Sequence, residues 1–148
     1  MSAADVDPMG EYRISLDPAD VDLDVVTSYL AGESYWAAGR SRDAVARSIA
    51  NSAVVVSAFA PSGDQVGFAR VVSDEATFAW LADVFVLEPH RGRRLGSALV
   101  RAAVDDPRVA SVRRQVLATA DGHRLYARFG FEVLDSPDQW MMRRGPGA

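Results

Sequence analysis

Residues 80–104 read WLADVFVLEPHRGRRLGSALVRAAV. The run from Trp80 to Leu87 is the pattern of a buried strand, interrupted by one carboxylate, Asp83. It breaks at Glu88-Pro89-His90 and passes through a glycine- and arginine-rich turn, Arg91-Gly92-Arg93-Arg94-Leu95-Gly96. Leu95, Ala98, Leu99 and Ala102 then recur at helical spacing. A strand that feeds a short basic turn opening a helix is an anion site in outline. The N–H groups of a first helical turn lack intrahelical partners, and the macrodipole adds partial positive charge there. Glycines let a phosphate approach the backbone, and arginines supply full charge and planar donor forks.

Working outward, residues 11–16 alternate as a strand, and Asp17-Pro18 caps a helix expected to run from Pro18 to about Ala31, ended by Gly32. Ser41 caps a second helix reaching about Asn51. Three strands follow, over 53–60, 65–73 and 77–87, with a turn at Pro61-Ser62-Gly63-Asp64 and a bulge or close approach at Gly67. After the basic turn a helix extends to about Asp106-Pro107. A strand is expected over 109–119, a short helix from Asp121 to about Phe129, and two last strands over 131–134 and 139–144. This order predicts an α/β fold with a mixed central sheet of six or seven strands and about four helices. Residues 1–10 read as a flexible N-terminus, 11–144 as a single domain and 145–148 as a tail.

Two familiar phosphate loops do not fit. A Walker A loop needs a lysine, and all sixteen basic residues here are arginine. The spacing of Gly92 and Gly96 is not that of a dinucleotide fingerprint. The stretch does resemble the pyrophosphate-binding motif of the GNAT superfamily of acetyl-CoA-dependent N-acetyltransferases, Q/R-x-x-G-x-G/A, with Arg94 where the family usually has glycine. A second stretch, Leu125-Tyr126-Ala127-Arg128-Phe129-Gly130-Phe131, resembles the family's closing L-Y-x-x-x-G-F. The resemblance implies that the fourth and fifth strands splay apart to admit acetyl-CoA. Val84, Phe85 and Val86 would then hold its pantetheine arm. Arg91, Gly92, Arg93, Arg94, Leu95, Gly96 and Ser97 would hold the pyrophosphate. Thr119 stands where many relatives place a cofactor-binding Asn.

Composition narrows the remaining possibilities. The chain has no cysteine, which removes disulfides, thiolate metal sites and a cysteine nucleophile, and two histidines make no zinc site. A net charge of −4 argues against nonspecific binding to nucleic acid or anionic membranes. No apolar run approaches the length of a membrane span, and the first ten residues lack a signal-peptide core. The expected compartment is the cytoplasm. With no lysine, no lysine side chain is available for self-acetylation.

Acyl transfer to an amine needs a polarised carbonyl, a proton acceptor for the amine and a proton donor for the departing thiolate. A backbone N–H near Val86 is the expected oxyanion donor. Tyr126 is the candidate acid; alternatively its ring only packs and bonds the sulfur or a carbonyl. Asp83 is the candidate base or amine-binding group, since a carboxylate inside an apolar strand must be paired or functional. Its alternative is a salt bridge, with Arg70 an obvious partner. Glu75 is the second choice. His90 reads as a surface or helix-entry contact and His123 as a packing or capping residue. Tyr35 and Trp36, between the first two helices, are the expected acceptor wall. The implied function is N-acetylation of a small-molecule primary amine by direct attack in a ternary complex, with acetyl-CoA as co-substrate, no metal and a homodimer in keeping with the family. The alternatives are a non-catalytic acyl-CoA-binding sensor and a protein or peptide acetyltransferase.

Overall fold

The structure, a computed structural model, describes residues 11–147; the terminus expected over 1–10 lies outside them. Five strands form one sheet in the order β1 (Arg13–Ser15), β2 (Val54–Phe59), β3 (Gln65–Ser73), β4 (Phe78–Val86), β5 (Arg114–Val116). The first three pairings are antiparallel and β4–β5 is parallel, so the sheet is mixed. Helices α1 (Leu23–Gly32) and α2 (Arg42–Ala50) cover one face. Helix α3 (Leu95–Val104) covers the other, with α4 (His123–Ala127) beside it.

The alternation of β2 explains the two-layer cover. Val54, Val56 and Ala58 pack with Leu95, Leu99, Val100 and Ala103. Val55, one residue out of phase, packs with Val26, Leu30 and Val45. Every residue of β2 is buried, as expected of a strand covered on both faces. Gly67 is the close approach that its place in β3 suggested. A Cβ there would stand 3.0 Å from Leu99 Cδ1 and 3.2 Å from the Phe85 carbonyl, so α3 lies against the sheet only because that atom is missing.

Several expected elements change. The helix expected from Pro18 is split. Asp17 caps a 3-10 turn over Pro18–Asp20, then Asp22 restarts the chain as a new N-cap, accepting from Asp24 and Val25 N–H. The Asp22 N–H is taken at 2.6 Å by buried Gln65 Oε1, which ties the restart to β3. The strand expected over 109–119 shrinks to Arg114–Val116. Asp106 holds a turn by accepting from Arg108 N–H and guanidinium, while its carbonyl takes Val109 and Ala110 N–H. Helix α3 ends at Val104 and α4 spans only His123–Ala127, since the Arg128, Phe129 and Gly130 N–H groups bond three residues back.

The strands expected over 131–134 and 139–144 do not form; that stretch holds one 3-10 turn, Pro137–Gln139. The sheet therefore has five strands rather than six or seven. A strand needs a partner edge, and β5 is only three residues long. Val133, Met141 and Met142 stay exposed, so the alternation in this stretch finds no face to bury.

Candidate active site

β4 and β5 pair only where Phe78, Ala79 and Trp80 meet Arg114, Gln115 and Val116. Beyond that point residues 117–119 leave the sheet, and a cleft of about 1050 Å³ opens between them and the second half of β4. Its walls include Asp83 to Val86, Arg91 and Gly92, Arg94 to Ser97, Thr119, Tyr126, and Tyr35 with Trp36. Residues expected to act together, though far apart in sequence, thus share one cavity.

One end of the cleft is made by backbone. The turn after β4 has Gly92 at φ +81° and Arg94 at φ +64°, both left-handed. Arg94 is the N-cap of α3 and its side chain makes no capping bond. The first helical bond is Ala98 N–H to the Arg94 carbonyl, which leaves the Leu95, Gly96 and Ser97 N–H groups without helical acceptors. All three residues line the cleft. An uncapped helix start, opened by a left-handed turn and flanked by arginine, fits a diphosphate. The left-handed geometry also explains why glycine suits position 94: any other residue there carries about 1 kcal/mol of backbone strain.

Arg91 and Arg93 are used differently. Arg91 donates from Nε to the Val86 carbonyl (2.9 Å) and from Nη2 to Tyr29 Oη (3.1 Å), locking the end of β4 to α1. Tyr29 is stacked on Phe85 at 4.1 Å. The Arg93 guanidinium lies 5.6 Å from the Tyr12 ring centre, and Arg93 is outside the cleft wall. His90 Nδ1 is 2.8 Å from Tyr12 Oη, so His90 ties the turn after β4 to the residue before β1. His123 and Glu75 do not line the cleft.

The other end is made by side chains. The β3–β4 register passes from Phe68–Phe85 to Arg70–Ala82, so one residue of β3 faces Asp83 and Val84 together: a β-bulge. Asp83 sits in it at φ +55°. Aspartate tolerates this conformation better than most residues. The bulge turns the carboxylate into a cage of donors. Oδ2 accepts from Arg70 Nε (2.7 Å) and Arg40 Nη1 (2.8 Å), and Oδ1 from Trp36 Nε1 (2.8 Å). Burial opposes its charge, but the two guanidiniums and the indole N–H outweigh it and hold the carboxyl below its usual range. Of the two readings for Asp83, the geometry favours the ion pair. Arg70 was anticipated as the partner; Arg40 was not, because it comes from the loop between α1 and α2 and nothing local marks it.

Tyr126, on α4, is half-buried, with its ring edge toward Phe131. Burial, followed by the influence of Tyr35 and Asp121, pushes its phenol up to about 12, so it is protonated at neutral pH. Gly122 makes room for that ring: a Cβ there would lie 2.8 Å from Tyr126 Cε2 and 2.9 Å from Thr119 Oγ1. Thr119 Oγ1 accepts the Gly122 N–H at 2.8 Å and holds the turn before α4, leaving its own proton to donate. Tyr35 Oη accepts the Ala120 N–H at 2.9 Å, so the wall expected to face the acceptor is bonded to the loop after β5. No group of three or more His, Asp or Glu side chains suited to a metal occurs among the described residues. Nor is any helix among them long and apolar enough to cross a membrane.

Parallel strands that part beside an uncapped helix start are the arrangement the GNAT resemblance implies, and comparison with known proteins makes this specific. The family model of the GNAT acetyltransferase domain matches residues 50–133. A crystal structure from Xanthomonas campestris, of a protein assigned to the GNAT family as an acetyltransferase, is 41% identical with a TM-score of 0.86, over 92% of this chain and 94% of that one. A Gibberella zeae protein assigned as an acetyltransferase is 29% identical, over 80% of this chain and 77% of its own length. A Deinococcus radiodurans structure, at 21% identity and a TM-score of 0.71, shares the fold over 93% of this chain and 92% of that one. The chain belongs to the GNAT acetyltransferase family and is an acyltransferase.

Proposed function

We propose that this protein is a cytoplasmic enzyme that moves an acetyl group from acetyl-CoA to the primary amine of a small molecule, by direct attack while both are bound. One observation carries the reading: the uncapped start of α3, the open edge of β4 and Tyr126 all border one cleft. The α3 first-turn N–H groups and Arg94 hold the diphosphate. The open β4 edge around Val84 to Val86 holds the pantetheine amides. Acetyl-CoA supplies the activated thioester; the protein supplies alignment, which can be worth roughly 7–11 kcal/mol at best.

The oxyanion donor follows from the ladder. Leu87 N–H bonds the Val66 carbonyl, so the alternate residue, Val86, turns its N–H and carbonyl toward the open edge. Arg91 takes that carbonyl, and the Val86 N–H remains to meet the developing charge. Tyr126 donates a hydrogen bond to the departing sulfur. With the phenol at about 12 and a free thiol near 8.5, complete proton transfer is uphill by roughly 5 kcal/mol, so the donated bond matters more than full protonation. Asp83, already tied to three donors, positions Arg40, Arg70 and Trp36 and leaves the amine proton to water at the cleft mouth.

Free-thiol release from acetyl-CoA over an amine panel tests the proposal, together with the melting temperature in excess CoA. Release with at least one amine and a raised melting temperature support it. A raised melting temperature without release from any amine favours a non-catalytic binder. No thermal shift at all removes the cleft assignment.

A further inference from the structure

We propose that the acceptor carries an acidic group besides its amine, and that this oxyanion docks on the guanidinium groups of Arg40 and Arg70. The inference rests on the acetyltransferase reading and adds the chemical class of its second substrate.

The charge count comes first. Two arginines share a single carboxylate, and both bonds fall on one oxygen, Asp83 Oδ2. Relative exposures are 19% for the Arg40 side chain, 13% for Arg70 and 2% for Asp83. One positive charge is therefore uncompensated in a partly buried region of the cleft, while the free guanidinium nitrogens still reach the cleft space and are open to a ligand. The Glu33 and Asp121 carboxylates also border the cleft, yet neither is paired with Arg40 or Arg70 among the described residues. The protein as a whole is negative, at −4, so this local excess is no reflection of a generally basic surface.

The donor count points the same way. Arginine forks match carboxylate and phosphate through two parallel bonds. Here neither fork is filled. Arg40 spends Nη1 on Asp83, and its Nε and Nη2 have no partner among the described residues. Arg70 spends Nε on Asp83 and has only a 3.4 Å contact from Nη1 to Ser52 Oγ, leaving Nη2 without a partner among them. A bridge that merely fastened the α1–α2 loop to the sheet would need one arginine.

Position completes the case. Both arginines line the same cavity as Val84, Val86 and Tyr126. They attach at the bulge residue itself, which lies within β4, before the turn that follows the strand. An acceptor anchored there by its acid group shares one cavity with the thioester, and Trp36 and Trp80 are among the side chains that line it.

Matched acceptors test this: an amino acid against its amide, and an amino-sugar phosphate against the unphosphorylated amino sugar, with thiol release followed at saturating acetyl-CoA. The acid-bearing member of one pair is expected to show about 10- to 100-fold higher kcat/KM, mostly through KM, and the pair that responds tells carboxylate from phosphate. R40Q is expected to bring that ratio close to one, and R40K, which keeps the charge without the fork, to give an intermediate ratio. If R40Q does not fold, R40K alone must lower the ratio. Equal rates within both pairs, or a ratio unmoved by the variants, overturn the proposal and leave acetyl transfer standing. If no acceptor in either pair reacts, the CoA-bound protein is titrated with inorganic phosphate and with acetate; CoA already fills the diphosphate turn. An anion-dependent rise in melting temperature that R40K weakens supports the site, and no rise, or an equal rise in R40K, overturns it. Failure of CoA itself to raise the melting temperature strikes the acetyltransferase reading and takes this one with it.

Discussion

The two ends of the cleft are built in opposite ways. At the end proposed for the diphosphate the free polar groups are backbone N–H donors, set by a left-handed turn and a helix start within residues 91–97. At the end proposed for the acceptor the polar groups are side chains, Trp36, Arg40, Arg70 and Asp83, drawn from a loop, β3 and β4 and gathered on one carboxylate. A site made of consecutive backbone tolerates change in its side chains but not in its φ angles. A site made of distant side chains tolerates neither loss of charge nor a slip in register.

The sharpest way to break the contrast is Asp83→Asn. Asparagine also accepts positive φ, so the bulge is kept and only the charge is lost. Two guanidiniums then stand in the cleft without a counter-ion, and we expect a loss of about 3 kcal/mol by denaturant unfolding at neutral pH. The sign with pH is fixed. The folded carboxyl lies below its ordinary value of 3.8, so its contribution is complete above that value and is lost as pH falls through the folded one. The gap between wild type and D83N should be flat from neutral pH down to about 4 and close below it. A gap that closes at higher pH would show that Asp83 is not held ionised.

Tyr126→Phe comes next. It removes one donor and no packing volume. We expect kcat to fall about 100-fold, the low end for a proton donor, with KM for acetyl-CoA little changed. Since the phenol is pushed up to about 12, the wild-type rate should show no descending limb from this group between pH 8 and 10. A tenfold or smaller loss in Y126F would reduce Tyr126 to a packing residue.

The same contrast explains what could be read from the sequence. The local structure of the proposed diphosphate end was legible because its parts are contiguous: a strand, a glycine-bearing basic turn and a helix are local patterns. So were the cap and length of α2, and the close approach at Gly67. The acceptor end was half legible. Asp83 stood out as a charge in an apolar strand, and Arg70, which pairs with neighbouring Ala82, is the nearest opposite charge on the adjacent strand. Arg40 had no such signal, because only the docking of α1 and α2 brings its loop to β4. Strands 131–134 and 139–144 failed for the reverse reason: alternation describes a face that a strand could bury, not a partner edge to bond.

A smaller effect probes how the two ends join through α4. Gly122→Ala places a methyl 2.8 Å from the Tyr126 ring and 2.9 Å from Thr119 Oγ1. The ring must move, at a cost of about 1–3 kcal/mol. Thermal unfolding reads the stability change, and thiol release reads the displacement of the phenol. Stability lost without loss of kcat would mean that the hydroxyl position is not critical.

The smallest effect separates backbone from side chain at the diphosphate end. Arg94 holds φ +64° with an arginine where the family pattern has glycine. Arg94→Gly relieves a strain of about 1 kcal/mol but adds freedom to the unfolded chain, so the net gain is about half of that, near 1–2 °C in melting temperature. If the end works through its backbone, CoA affinity by calorimetry should hold within about threefold, the guanidinium adding only a screened surface charge. If Arg94 is a true clamp on the diphosphate, affinity should drop about tenfold or more and the loss should shrink as salt is raised. Stability and affinity moving in opposite directions would mean that the chain accepts a strained turn in exchange for a charge. Both holding steady would mean that the helix start alone is the anion site.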